Sequence, residues 1–174
     1  MSESIELKDF IRNIPDWPEK GILFRDITPL LSSAEAFKCA VEALCADFSD
    51  IGVDYVAAVE ARGFIFGSVV AEKLGAGFIP IRKEGKLPAK TERATYDLEY
   101  GSDTLEVHSD AVSKGDKILM IDDLLATGGT MSAACELIEK IGGTISGISF
   151  LIELTNLKGR AKLQNYNIKT VMRY

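Results

Sequence analysis

Two adjacent carboxylates, Asp122 and Asp123, close the apolar run of residues 118–121, and Thr127, Gly128, Gly129 and Thr130 follow after three intervening residues. A helix opening at that Thr-Gly-Gly-Thr leaves its first backbone N–H groups without internal partners. Small residues let those donors approach a phosphate closely, and the helix dipole favours negative charge there. Two carboxylates beside a phosphate repel it unless they serve another part of the same molecule, and vicinal ribose hydroxyls are natural donors to them. The pair and the loop together predict a ribose 5-phosphate site. The turn lacks the Lys of a Walker A loop and the G-x-G-x-x-G of a dinucleotide fold, which weighs against ATP and NAD. On local pattern alone, a helix start capped by acids accounts for the same residues.

Other charged residues extend the candidate site. Residues 82–93 carry five basic side chains (Arg82, Lys83, Lys86, Lys90 and Arg93) against two acids, in a chain whose formal net charge is -6. They read either as a solvated loop or as a local anion contact. Arg62 and Gly63 follow an apolar run, where a helix start offers further N–H donors beside a fixed guanidinium fork. With 20 Lys and Arg against 26 Asp and Glu, bulk positive charge is excluded as a means of holding nucleic acid. One histidine, His108, and three cysteines without Cys-x-x-Cys spacing (Cys39, Cys45 and Cys135) leave little for a metal cluster, and the thiols read as buried. No apolar run approaches the roughly 18 residues a bilayer span needs. The start, Met-Ser-Glu-Ser, has no signal-peptide pattern, so a cytoplasmic protein is expected.

The elements that must position these residues form an alternating series. Ile5, Leu7, Phe10, Ile11 and Ile14 predict a short helix stopped by Pro15 and Pro18. A second helix is expected after a Ser33 N-cap, with Phe37, Ala40, Val41, Leu44, Cys45 and Phe48 on its apolar side. The continuously apolar run at 55–59 predicts a strand buried on both faces, 118–121 predicts the strongest buried strand, further strands are expected at 77–81 and 145–152, and helices are expected at 64–74 and 130–141. Residues 82–104 show no sustained period and read as a long mobile loop. The prediction is one α/β domain over 1–174, doubly wound around a mainly parallel sheet.

The strand-acid-acid-x-x-x-Thr-Gly-Gly-Thr block resembles the phosphoribosyl pyrophosphate (PRPP) signature of the type I phosphoribosyltransferases. Further motifs, PDWPEKGILFRDITPLL, EARGFIFG, PIRKEGKLP, LEYG, DDLLATGGTMSAACEL and LIELTNLKGRAKL, resemble the adenine-specific branch of that family in its order. The resemblance implies a purine salvage enzyme of the type I fold: adenine N9 attacks C1 of PRPP, expelling pyrophosphate and giving AMP. It implies that Asp122, Asp123, Ala126, Thr127, Gly128, Gly129 and Thr130 hold the phosphoribosyl part. Arg82, Lys83 and Lys86 would lie near pyrophosphate, some reaching across a homodimer, and Arg62 beside both pyrophosphate and base. Glu99 is the implied acid/base, while the acid pair supports the oxocarbenium-like ribosyl carbon. A small hood from about residues 1–35 would bring Leu23, Phe24 and Arg25 to adenine, with Leu154 from the C-terminal side. Mg²⁺ is expected on the substrate's phosphates and hydroxyls rather than in a protein cage. Ala126 disfavours hypoxanthine and guanine, whose transferases carry an Asp there, and leaves xanthine open. A regulator that senses PRPP without catalysis is the alternative class, and neither nucleic acid nor membrane is expected as a partner.

Overall fold

The computed structural model describes residues 5–97 and 101–174. The chain divides into two compact units, Met1–Ala43 and Leu44–Tyr174. In the first, Leu7–Phe10 forms one 3-10 turn, followed by β1 (Arg12–Pro15) and β2 (Leu23–Asp26), which pair antiparallel with Ile14 opposite Phe24. The expected helix over residues 5–14 is therefore replaced: its apolar spacing supplies a single turn, and the backbone around Ile14 finds its partners on β2. Asp16 takes a positive φ and its Oδ1 accepts from the Gly21 N–H at 2.7 Å, which closes the hairpin turn. The Trp17 and Phe24 rings meet edge to face at 4.3 Å. Helix α1 (Thr28–Ser32) starts where Asp26 Oδ1 accepts from Thr28 N. Helix α2 (Ala34–Cys45) starts as expected at Ser33, whose Oγ accepts from Ala36 N at 3.3 Å.

The second unit contains β3 (Tyr55–Val59), α3 (Arg62–Leu74), β4 (Gly77–Lys83), β5 (Thr91–Asp97), β6 (Ser102–His108), β7 (Lys117–Leu125), α4 (Gly129–Lys140), β8 (Thr144–Glu153) and β9 (Ile168–Arg173). They form one seven-stranded sheet in the order β5-β6-β4-β3-β7-β8-β9, parallel from β4 to β9. β6 is antiparallel to both β4 and β5. Alternate residues of the parallel strands serve opposite faces. Ala57, Val59, Ile79, Ile81, Ile118, Met120, Ile148 and Phe150 join Met131, Ala134, Leu137 and Ile138 of α4 in one core. On the other face Ala58 and Phe78 pack so tightly on α3 that a Cβ at Gly67 would lie 2.7 Å from the Ala58 Cβ. Burial on both sides is why these strands read as mainly apolar runs.

Three sequence expectations change in the second unit. Residues 82–104 are not one long loop: β4 runs to Lys83, and Thr91–Asp97 pairs with Ser102–His108 as an antiparallel hairpin. Its apolar side is thin, with Ala94, Leu105 and Val107 buried among the described residues, and on its other face Glu106 is buried as an ion pair with Arg93 at 2.8 Å. The acid pair lies inside β7 rather than beyond its end. β9, which the sequence reading did not anticipate, forms the edge beside β8. Cys45 and Cys135 are buried, while Cys39 is partly exposed. Among the described residues, no helix is long and apolar enough to cross a membrane.

Candidate active site

Winding reverses between β3 and β7: β3–α3–β4 progresses one way along the sheet and β7–α4–β8 the other. Pairing of these two strands ends at Ala58 opposite Ile121, whereas β7 continues to Leu125 bonded to β8 alone. A crevice must open at the carboxyl ends of strands that part in this way. It is a cavity of about 470 Å³ lined by residues of both strand ends, among them Glu60, Arg62, Asp122, Asp123, Ala126 and Thr130. That volume suits a small phosphorylated ligand, within the range of about 300–1,000 Å³ usual for ligand sites.

The floor of the cavity is electrostatically loaded. Asp123 is buried and Asp122 half-buried, and Asp122 Oδ1 accepts from the Asp123 N–H at 2.9 Å. Burial first, and the neighbouring Asp123 charge second, hold the Asp122 carboxyl well above the usual carboxylate range. Asp123 is also raised by burial, with the Arg62 guanidinium pulling the other way from 2.9 Å. The start of α3 comes against this floor so closely that a Cβ at Gly63 would lie 2.9 Å from Asp122 Oδ1. One wall is the turn into α4, where Gly128 takes φ 79° and N-caps the helix without a side chain. The first N–H groups of α4 carry no side-chain cap and so remain available to an anion.

The cavity brings together Arg62, Asp122, Asp123, Ala126, Thr127, Gly128 and Thr130, with Gly129 as the first residue of α4. Arg82, Lys83 and Lys86 connect to it through Glu60, a lining residue that the sequence reading gave no role. Glu60 accepts from the Lys83 N–H at 2.7 Å and from Lys86 Nζ at 2.8 Å, with Arg82 Nε at 3.3 Å. Burial alone would raise the Glu60 carboxyl; Lys86, the Lys83 amide and Arg82 outweigh it and hold it below its ordinary value. The available signal was an acid two residues before Arg62 at the end of a buried strand. Lys83 Nζ pairs with Asp103 at 2.9 Å. Glu99 lies outside the described residues. Leu154 follows β8 and donates its N–H to Leu125 O at 2.9 Å. Leu23, Phe24 and Arg25 belong to β2 of the first unit, where Arg25 bonds Asn13.

Residues 31–171 match the family model described as phosphoribosyl transferase domain. The chain is 55% identical over 168 residues to the adenine phosphoribosyltransferase of Halothermothrix orenii, covering 97% of this chain and 99% of that protein. The chain belongs to the adenine phosphoribosyltransferases. Among solved adenine phosphoribosyltransferases, that of Thermoanaerobacter pseudethanolicus superposes with a TM-score of 0.94 at 50% identity, covering 97% of this chain and 98% of that one. The Saccharomyces cerevisiae enzyme, solved with an iminoaltritol bisphosphate and adenine, gives 0.90 at 40% identity over 95% and 96%. The fold is thus the type I phosphoribosyltransferase fold, a mainly parallel sheet with helices on both faces, as the sequence predicted.

Proposed function

We propose that the cavity between β3 and β7 binds PRPP and that the chain transfers its 5-phosphoribosyl group to adenine, releasing pyrophosphate and forming AMP in purine salvage. The observation that carries this reading is the joining of an adjacent acid pair to an uncapped helix start in one cavity. The N–H groups at 127–130 suit the 5-phosphate, and the acid pair suits the ribose hydroxyls. Arg62 adds a positive fork where pyrophosphate would leave. As the ribosyl carbon becomes cationic, the negative charge of the acid pair stabilises it without forming a bond.

Mg²⁺ fits as a substrate-borne ion. Among the described residues there is no cluster of three or more His, Cys, Asp or Glu that could cage it, and the cavity offers carboxylate oxygens, the donor type Mg²⁺ takes. Asp122 and Asp123 would meet it together with the ribose, and the chemistry it supplies is neutralisation of the leaving pyrophosphate. Arg82, Lys83 and Lys86 are the proposed cations for that pyrophosphate. Adenine selection is assigned to the segment around Phe24, with Leu23, Arg25 and Leu154 contributing, and Glu99 is assigned as the acid/base. A cytoplasmic homodimer completes the reading, and a fully active monomer at high dilution, seen by light scattering beside an assay, refutes the dimer.

The test is product formation from adenine, xanthine, hypoxanthine and guanine with PRPP and Mg²⁺, separated chromatographically. AMP alone is expected; XMP overturns the base assignment, and binding of PRPP without any product overturns catalysis. In the same assay Glu99→Gln is expected to lower turnover about 10²-fold, the scale of one general acid or base, while PRPP affinity persists. Unchanged turnover dismisses that role.

A further inference from the structure

The last residue of β8, Glu153, is buried and accepts from several donors. Arg160 reaches it as a two-pronged fork, Nε to Oε1 at 2.7 Å and Nη2 to Oε2 at 3.0 Å. Thr170 Oγ1 donates to Oε2 at 3.0 Å, and Arg173 Nε lies 3.2 Å from it. Arg160 Nη1 also donates to the Ile168 carbonyl at 3.2 Å. The 3-10 turn Gly159–Lys162 is thereby tied to the ends of β8 and β9.

Beside Arg160, Gly159 meets the turn that precedes α4 backbone to backbone. A Cβ on Gly159 would run into the Ala126 carbonyl oxygen and lie 3.1 Å from Gly128 N, and a Cβ on Gly128 would run into the Gly159 carbonyl. Two glycine backbones in contact have no rotamer with which to absorb a shift, so the turn after β8 and the phosphate loop move together. Neither Glu153 nor Arg160 is among the residues lining the cavity. A buried ion pair contributes little net stability compared with apolar packing. What a guanidinium–carboxylate fork does supply is fixed geometry.

We infer that Glu153 and Arg160 are positioning residues for the phosphate loop: their fork fixes the Gly159 backbone, and Gly159 fixes residues 126–128 at the cavity. The inference rests on the proposed binding of the 5-phosphate by that loop. Misplacing a bound group by about 1 Å can cost 10²-fold in rate, and partial loosening of the fork is expected to cost less.

The test uses Glu153→Gln and Arg160→Lys, the second keeping the charge and losing the fork so that a folded variant is at hand if the first is damaged. Circular dichroism and thermal melting identify the folded variants. Calorimetric titration then measures PRPP, AMP and pyrophosphate separately. The expected result is a rise of about five- to thirtyfold in Kd for both PRPP and AMP, which share the 5-phosphate, with pyrophosphate within twofold. Equal weakening of all three ligands, or PRPP and AMP unchanged in a folded variant, overturns the inference. Thr130→Val serves as the control on the loop itself. If it weakens AMP while both fork variants do not, the positioning role alone falls; if it leaves AMP binding unchanged, the loop assignment falls and takes the positioning role with it.

Discussion

Asp123→Asn is expected to lower kcat/KM for PRPP by about 10²–10³-fold while the protein stays folded. The side chain has two duties, and Asn, which keeps one acceptor oxygen but loses the charge, weakens both. It accepts from the ribose hydroxyls in the proposed complex, and it holds the Arg62 guanidinium at 2.9 Å. Hydrogen bonds to charged groups are worth about 1.5–3 kcal/mol, and about 1.4 kcal/mol of barrier is tenfold in rate. Loss of one such bond and misorientation of Arg62 give the predicted range. Stability moves little because Asp123 is already raised by burial, so folding works against its charge rather than drawing on it. Steady-state kinetics beside a thermal melt decide the matter, and a variant within fivefold of the wild-type kcat/KM would remove Asp123 from the site.

Gly128→Ala is expected to damage both fold and binding. Its φ of 79° is open to glycine and costs other residues about 1–3 kcal/mol. The added methyl also meets the Gly159 carbonyl, and overpacking of a well-packed contact costs about 1–3 kcal/mol more. At about 2–4 °C per kcal/mol for a chain of this size, the melting temperature should fall by about 4–24 °C. PRPP and AMP should weaken by about 10²-fold, because the N–H groups of the α4 start no longer converge. A melting temperature within 2 °C of wild type, with AMP affinity intact, would mean that the turn accommodates a side chain and that its positive φ is not required.

The sheet was legible because its signal is local. β3, β4, β7 and β8 are buried on both faces, so each shows as a short apolar run, and the helix starts after Ser33 and Thr127 were marked by their own residues. The hairpin of β5 and β6 was not legible, because its apolar face holds few residues and its other buried residue is Glu106, whose partner Arg93 comes from the opposite strand. β1 was misread because five apolar residues at mixed spacing fit a helix, and pairing with β2 decided otherwise. The same division runs through the site. Asp122, Asp123 and the Thr-Gly-Gly-Thr turn stand within nine residues of one another and carry their chemistry in their order. Glu60 takes its meaning from Lys83 and Lys86, 23 and 26 residues later, and Glu153 from Arg160 and Thr170. No composition or period marks such pairings.

The parting of β3 from β7 beyond Ala58 and Ile121 has a consequence for how this scaffold can change. The width of the crevice is set by where backbone pairing stops, and pairing does not depend on which side chains line the opening. Exchange of a lining residue such as Ala126 leaves every ladder hydrogen bond in place, so new ligand preferences can arise by substitution at the rim without rebuilding the frame. Residues that hold backbone to backbone, Gly128 against Gly159, have no such latitude. A library varied at 126 should therefore yield mostly folded proteins, and one varied at 128 and 159 mostly unfolded ones.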